Sequence, residues 1–139
     1  MFKIIIRKAQ VSDIPGVMKL LKTTDFIDQE TSYNNPKYFR RSVEEGIFFV
    51  AEFGNKIVGM IHGELLICNG AVIWYFAVSE NLRGQGIGKQ LLEAFETGCK
   101  SKGTKWIFGS GDIKWKTMNF YKKNGYEFGD TYIEFMKDI

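Results

Sequence analysis

Cysteine, histidine and proline are all scarce in this chain of 139 residues, and the first two shortages exclude particular kinds of site. The two cysteines, Cys68 and Cys99, are far apart and neither has a CxxC partner, which argues against a disulfide framework or a zinc site. His62 is the single histidine, so a histidine-rich metal centre is excluded. The sequence therefore predicts a protein without a bound metal.

Long apolar runs and a strong charge of one sign are lacking as well. No uninterrupted apolar stretch approaches the roughly 20 residues of a membrane helix, and the apolar start Met1–Arg7 is too short for a signal peptide. The net charge of +3 does not by itself indicate nucleic-acid binding, and a small anionic ligand is enough to explain it. We expect a cytoplasmic protein that binds neither membrane nor nucleic acid.

The chain has no repeat, low-complexity tract or linker, so its length predicts one domain over residues 1–139. Hydrophobic residues, at 45%, are sufficient for a core. Helices are predicted to begin near Ser12 or Asp13, at Pro36, near Gly88 and at Trp115. The predicted strands are Phe2–Lys8, Ile47–Phe53, Lys56–Cys68, Ala71–Val78, Lys105–Ser110, Tyr126–Gly129 and Thr131–Lys137.

Turn signals predict how these strands connect. Gly54-Asn55 and Asn69-Gly70 join three consecutive strands into an antiparallel meander, whose third strand is apolar on both faces and should be central. The glycine-rich turn, helix and strand that follow imply one parallel pair with a right-handed crossover. The predicted fold is α+β, with the order βααβββαβαββ and a mixed, mostly antiparallel sheet.

The segment Phe76–Gly88 joins the end of a strand to a glycine-rich turn and then to a helix start. The first N–H groups of a helix have no internal partner, and glycines allow a ligand to approach them closely. The helix dipole adds partial positive charge at the same place. The segment therefore predicts a binding site for pyrophosphate, with Arg83 and Lys89 adding full charges.

Three glycine-rich motifs bind phosphate groups, and their spacing separates them. A P-loop needs GxxxxGK followed by Ser or Thr, but Gly88-Lys89 is followed by Gln90 and Arg83 occupies the first glycine position. A dinucleotide fingerprint needs GxGxxG, whereas the glycines here are 84, 86 and 88. The third pattern, RxxGxG, is met by Arg83-x-x-Gly86-x-Gly88.

The segment AVSENLRGQGIGKQLLEAF, residues 77–95, resembles the pyrophosphate-binding signature of the GNAT superfamily of acyl-CoA-dependent N-acyltransferases. Downstream, FYKKNGY at 120–126 resembles the family's FYxxxGF helix end, and the element order agrees over essentially the whole chain. The resemblance implies acetyl-CoA as cosubstrate. It also implies that the residues around its pyrophosphate are Arg83, Gly84, Gln85, Gly86, Ile87, Gly88 and Lys89.

The resemblance implies further features of the site. The strand before the signature should splay from its parallel neighbour, with helices on both faces of the sheet and the pantetheine arm paired with Phe76, Ala77 and Val78. One of their N–H groups would stabilise the oxyanion of the tetrahedral intermediate. Tyr121 matches the tyrosine that protonates the departing thiolate; the alternative is a tyrosine that packs on the sheet.

Two positions depart from the family pattern. A glutamate often lies four residues before the signature valine, where this chain has Trp74, and an asparagine often lies seven before the tyrosine, where it has Lys114. Lys114 is expected to reach a CoA phosphate. The base for the amine is expected to be a carboxylate, or else water or backbone groups. The candidate carboxylates, in order of preference, are Glu64, which shares a strand face with His62, then Glu52 and Asp112.

Three functions agree with the resemblance. The first is acetylation of a small primary amine by direct attack on the thioester, without an acyl-enzyme. The second is acetylation of a protein N-terminus or lysine, and the third is a non-catalytic CoA-binding regulator, which the presence of Tyr121 disfavours. Outside the family, a nucleotide-binding α/β domain is the alternative, and the failed P-loop spacing argues against it.

Only one segment of the sequence, Thr23–Tyr33, bears on the chemical nature of the acceptor. It contains no basic residue. Its carboxylates Asp25, Asp28 and Glu30 would attract an acceptor that carries an ammonium group; a solvated loop is the alternative. Pairing of Tyr132–Met136 at a sheet edge would give a homodimer.

Overall fold

The computed structural model describes residues 3–24, 35–111, 116–130, 135, 137 and 139. The chain divides into two compact units, Met1–Gly109 and Ser110–Ile139, which we describe in turn. Among the described residues, no helix is long and apolar enough to cross a membrane. The α-helices are α1 Ile14–Leu21, α2 Pro36–Glu45, α3 Ile87–Ser101 and α4 Thr117–Lys123. The strands are β1 Ile5–Lys8, β2 Ile47–Phe53, β3 Lys56–Leu65, β4 Gly70–Val78 and β5 Trp106–Gly109.

In the first unit the five described strands form one sheet in the order β1-β2-β3-β4-β5. The strands β2, β3 and β4 are successive antiparallel neighbours, and β4 and β5 are parallel, which confirms the predicted meander and the single parallel pair. Asn55 and Asn69 both have a φ of 63°, a left-handed conformation that tight turns use. The middle strand of this order is β3. The strand β4 lies inside the sheet, as predicted, but one position away from its centre.

The register of β4 contains one extra residue. Tyr75 is paired with His62 and Ile73 with Gly63, so Trp74 has no opposite residue on β3 and forms a β-bulge. The parallel pairing with β5 covers only Gly70–Ile73 and ends at the same point. The ladder between β4 and β5 thus ends at Ile73 and Gly109, and the edge of Trp74–Val78 on the side of β5 is called the gap below. The parallel pairing of β4 with β5 is confirmed, and the splay of the pair stays a prediction.

Helices cover both faces of the sheet, as expected. On one face α1 and α2 bury a cluster that includes Val17, Leu21, Phe39 and Met60, all fully buried. On the other face α3 packs directly on β3. The distance is short enough that a Cβ added at Gly59 of β3 would lie only 2.9 Å from Leu91 Cδ1 of α3. This close approach fixes the direction of α3, and therefore the position at which the glycine-rich turn meets its first residues.

An ion-pair network holds the start of α1 against the sheet. The Arg7 guanidinium donates two hydrogen bonds to the Asp13 carboxylate, at 2.7 and 2.8 Å, and Arg7 Nε donates a third to Glu52 at 3.0 Å. The hydrogen bonds from Arg7 lower the pKa of Asp13, and the Gln10 N–H, which donates to the same carboxylate, adds to this effect. The predicted helix start at Asp13 is thus stabilised by an arginine rather than by a side-chain cap.

In the second unit, α4 ends at Lys123, and Gly125 adopts a φ of 88°, which confirms the predicted left-handed helix end. The predicted strand Tyr126–Gly129 was wrong, because these residues form no strand. The predicted strand Thr131–Lys137 lies mostly outside the described residues.

Candidate functional site

The turn between β4 and α3 is anchored to the sheet at its first residue. The Ser79 N–H donates to the Val58 carbonyl at 2.7 Å, and a short 3₁₀ helix follows over Glu80–Leu82. Arg83 leaves this helix in an extended conformation and is exposed. Its Nε–H donates to the carbonyl of Val78 at 3.0 Å, which uses one of the five donors of the guanidinium. This hydrogen bond therefore holds the turn against the end of β4.

The glycines of the motif adopt conformations that other residues avoid. Gly84 has a φ of 76° and Gly86 a φ of 84°, both in the left-handed region, and a Cβ at either position would meet no atom within 4 Å. Gly86 is the N-cap of α3, and no side chain caps the helix there. Open space therefore lies in front of a helix start that the chain itself leaves uncapped.

The first turn of α3 offers backbone donors to that space. The first helical hydrogen bond runs from the Gln90 N–H to the Gly86 carbonyl at 3.1 Å, so the N–H groups of Ile87, Gly88 and Lys89 have no acceptor inside the helix. The first turn contains no acidic residue, and the buried Ile87 side chain fixes the helix to the core. The exposed side chains of Gln85 and Lys89 flank these donors. Uncapped donors, a helix dipole and cationic side chains together suit an anionic ligand.

The three residues at the end of β4 differ in the direction of their backbone groups. Neighbouring residues of a strand direct their N–H groups to opposite edges, and the Ser79 N–H points to β3. The Val78 and Phe76 N–H groups therefore point away from β3, toward the gap, whereas that of Ala77 points to β3. The Val78 carbonyl agrees, since it accepts from Arg83 on the gap side. Of the three predicted pantetheine contacts, Phe76 and Val78 turn their backbone to the gap, and the Ala77 side chain belongs to the core.

The sequence-predicted bases lie in different surroundings. Glu64 is exposed on β3, and its charge is one cause of the raised pKa of Arg41 on α2, after the larger effect of Glu45. Glu52 is held by Arg7, so its carboxylate already has a structural partner. Asp112 and the phosphate contact Lys114 lie outside the described residues, as does the segment 25–34 that holds the acidic loop. Of the two described candidates, Glu52 and Glu64, Glu64 is therefore the one that no arginine holds by a hydrogen bond.

His62 is buried between aromatic rings and does not pair with Glu64. Its ring lies 5.2 Å, centroid to centroid, from both Phe39 and Phe48, and 6.0 Å from Tyr75. Burial lowers the pKa of His62 to about 4, so the imidazole is neutral near pH 7. Within the described part of the chain, its Nδ1 has no hydrogen-bond partner. His62 was predicted to lie on a strand, but this aromatic enclosure could not be predicted, because its rings come from three other elements, α2, β2 and β4.

Tyr121 belongs to the second unit and lies on α4. Its ring makes edge contacts with Phe120 at 5.8 Å and with Tyr126 at 5.4 Å between centroids. Burial raises the pKa of Tyr121 to about 12. The phenol therefore keeps its proton over the whole range of ordinary assay conditions, as a proton donor must.

Comparison with known proteins bears on this arrangement. The sequence profile described as the acetyltransferase (GNAT) domain matches residues 44–128, more than half of the chain. A comparison with curated protein sequences finds no match. The profile match includes β2 to β5, the glycine-rich turn and α4.

Several solved structures have the same fold. A structure of AAC(6')-Iy in complex with the bisubstrate analog CoA-S-monomethyl-acetylneamine is 14% identical, with a TM-score of 0.83 and 99% of each chain covered. The PaiA N-acetyltransferase from Thermoplasma acidophilum, in complex with coenzyme A, is 21% identical, with a TM-score of 0.81 and coverage of 94% of this chain and 93% of that one. An aminoglycoside acetyltransferase from an uncultured soil metagenomic sample, in complex with sisomicin, is 24% identical, with a TM-score of 0.75 and coverage of 99% and 96%. At these identities the likeness shows the fold alone.

Proposed function

Because the chain belongs to the GNAT acetyltransferase family, we propose that it transfers an acetyl group from acetyl-CoA to a primary amine of a small molecule. The observation that carries the proposal is the uncapped start of α3 behind two left-handed glycines. The other parts of the site follow from the chemistry of a thioester and an amine.

The pyrophosphate of CoA binds at the start of α3. The N–H groups of Ile87, Gly88 and Lys89 donate to its oxygens, and the two left-handed glycines, 84 and 86, leave room for it. Arg83 adds charge while its Nε–H holds the turn against Val78. Lys89 and, by the motif, Gln85 contact the phosphates as well, and Lys114, which stands where the family often has asparagine, reaches one of them. Most of these contacts come from the backbone, so the glycines contribute more to the site than any single side chain.

The pantetheine arm lies in the gap between β4 and β5. It lies along the edge of β4 that faces away from β3, as an added strand would, with Phe76 and Val78 supplying the backbone groups on that side. One of these N–H groups donates to the thioester oxygen and stabilises the negative charge that develops on it. The bulge at Trp74 agrees with this role, because it interrupts the regular strand at the residue after the last one that pairs with β5.

The acceptor attacks the thioester directly. The nitrogen lone pair of a neutral amine forms the C–N bond, the tetrahedral intermediate expels the CoA thiolate, and the nitrogen loses a proton. Tyr121 donates the proton that the thiolate takes up, and is reprotonated from solvent. Glu64, or a water chain that leads to it, accepts the proton of the amine. Burial raises the pKa of Tyr121 to about 12, above the value of about 8.5 for a free thiol, so the proton moves to the sulfur only as the C–S bond breaks and negative charge develops there.

The test is an amine panel assayed with acetyl-CoA, with released thiol and N-acetylated product measured in parallel. The proposal predicts equal amounts of thiol and acetylated amine for at least one small amine. If the chain acetylates only peptide N-termini or lysines, its acceptor is a protein and not a small molecule. Tight CoA binding without turnover on any amine or peptide would make the chain a CoA-binding regulator and contradict the proposal.

A further inference from the structure

Gly59 lies on β3 at a point where no side chain fits beneath α3. It is buried, and a Cβ added to it would lie 2.9 Å from Leu91 Cδ1 and 3.2 Å from the Cβ of Ala51. Carbon atoms in good contact are about 3.5–4.0 Å apart. Leu91 is itself fully buried, so its side chain has no open space into which it could turn. A methyl group at Gly59 must therefore move Leu91, and α3 with it, outward by about 0.5–1 Å.

The same glycine lies next to both parts of the proposed CoA site. Its partner on β4 is Val78, whose N–H points away from β3. The β3 residue before it accepts the hydrogen bond from the Ser79 N–H that anchors the glycine-rich turn. Leu91 is four residues after Ile87 and therefore lies on the same face of α3, one turn from the uncapped N–H groups. The contact between Gly59 and Leu91 thus sets how far the start of α3 stands from the end of β4.

This separation matters because the two parts of the site bind a single molecule. In the proposed function the pyrophosphate binds at the start of α3, and the thioester oxygen accepts a hydrogen bond from an N–H at the end of β4. Both groups belong to acetyl-CoA, so their separation in the ligand must match the separation of their sites in the protein. A misplacement of reacting groups by about 1 Å can lower a rate about 10²-fold.

We propose that Gly59 is a positioning residue for acetyl-CoA, which sets the spacing between the pyrophosphate site and the N–H groups of Phe76 and Val78. Gly59 touches neither the ligand nor the reacting atoms. It acts through Leu91, because the absence of a side chain allows α3 to rest directly on β3. This inference rests on the proposed acetyl transfer and specifies how the chain holds both ends of the coenzyme.

Calorimetric titration with two ligands separates the spacing from the sites themselves. The ligands are acetyl-CoA, titrated without an acceptor, and 3′-phospho-ADP, which is the nucleotide part of CoA with its pyrophosphate but without the pantetheine arm. Gly59→Ala moves the start of α3 as a unit, so the affinity for 3′-phospho-ADP should stay that of wild type. The affinity for acetyl-CoA should fall about tenfold, because its two ends can no longer engage both sites together. With the best amine found, kcat/KM should fall at least as far.

A rescue variant and a control variant complete the experiment. Gly59→Ala/Leu91→Val adds one carbon on the strand and removes one from the helix, which conserves the volume of the interface, and it should regain most of the affinity for acetyl-CoA. The control is Gly98→Ala, which places a methyl group 3.2 Å from Phe49 Cε2 in the same interface. It lies about 16 Å along α3 from Ile87 and should bind both ligands like wild type.

Circular dichroism shows whether each variant is folded. If a folded Gly59→Ala binds acetyl-CoA like wild type, or loses both ligands equally, Gly59 does not set the spacing. The assignment is also wrong if the double variant does not regain affinity. If Gly59→Ala does not fold, Leu91→Val shortens the same contact from the helix side and should weaken acetyl-CoA but not 3′-phospho-ADP. In all these cases the proposed function stands, whereas a wild-type chain that binds neither ligand contradicts both.

Discussion

Arg83 and Val78 are joined by a hydrogen bond of 3.0 Å from the arginine Nε–H to the valine carbonyl. The bond links the two parts of the proposed CoA site, because Arg83 belongs to the phosphate-binding turn and Val78 to the strand edge beside the gap. A lysine has the same charge but cannot make this bond together with a contact to phosphate. In the proposed site Arg83 thus acts both on the ligand and on the shape of the turn.

Substitutions of Arg83 separate these two roles. Arg83→Lys keeps the charge and loses the bond to Val78, so we expect the dissociation constant for CoA to rise about tenfold, which corresponds to about 1.4 kcal/mol. Arg83→Gln loses charge as well and should weaken binding further. Calorimetric titration with CoA measures both. Arg41→Gln, which removes an exposed arginine of α2, is the control and should bind CoA like wild type. Equal binding by all four proteins would leave Arg83 without a role.

Local sequence patterns predicted the meander and the glycine-rich turn before α3, because each depends on residues adjacent in the chain. The turns at Asn55 and Asn69 and the left-handed Gly86 are of this kind. The bulge at Trp74 could not be predicted, because it is a property of the register between two strands. The ion pair that engages Glu52 could not be predicted either, because its partner Arg7 lies 45 residues away. The strand predicted at Tyr126–Gly129 was wrong, because the strand propensity of so short a segment does not by itself specify pairing.

Tyr121→Phe tests the role of the phenol in the proposed reaction. The substitution keeps the ring that contacts Phe120 and Tyr126 and removes only the proton donor. We expect kcat to fall about 10²–10⁴-fold, with little change in the affinity for acetyl-CoA, because the proton is transferred only in the transition state. Steady-state kinetics on the best amine measures kcat, and calorimetric titration measures the affinity for the coenzyme. Tyr126→Phe serves as the control and should retain wild-type kcat; a fully active Tyr121→Phe would make Tyr121 a packing residue.

The pH dependence of stability tests the burial of His62. Its pKa is about 4 when folded and about 6.5 when unfolded, so the unfolded chain binds more protons between these values. The contribution of His62 is therefore complete above pH 6.5 and is lost as the pH falls toward 4. Between pH 7.5 and pH 5 the free energy of unfolding should fall by about 2 kcal/mol.

Denaturant unfolding at the two pH values measures this change, and His62→Leu should abolish it. Because His62 is the single histidine of the chain, no other imidazole contributes. Asp13 does not interfere, since its lowered pKa places its effect below about pH 4. A wild-type protein with the same stability at both pH values would contradict the buried, neutral imidazole.

The central claim is that the uncapped start of α3 binds the pyrophosphate of CoA, and calorimetric titration of CoA into two glycine variants tests it most directly. Gly86 and Gly103, at opposite ends of α3, have φ values of 84° and 81°, and a Cβ at either would meet no atom within 4 Å. Both Gly86→Asp and Gly103→Asp place a side chain at a left-handed position, which costs about 1–2 kcal/mol of stability. The helix dipole offsets part of this cost at Gly86 and adds to it at Gly103, so the control is the less stable of the two variants. Only Gly86→Asp should lose CoA binding, because its side chain and charge occupy the phosphate position. Equal CoA affinity in Gly86→Asp and Gly103→Asp would contradict the account.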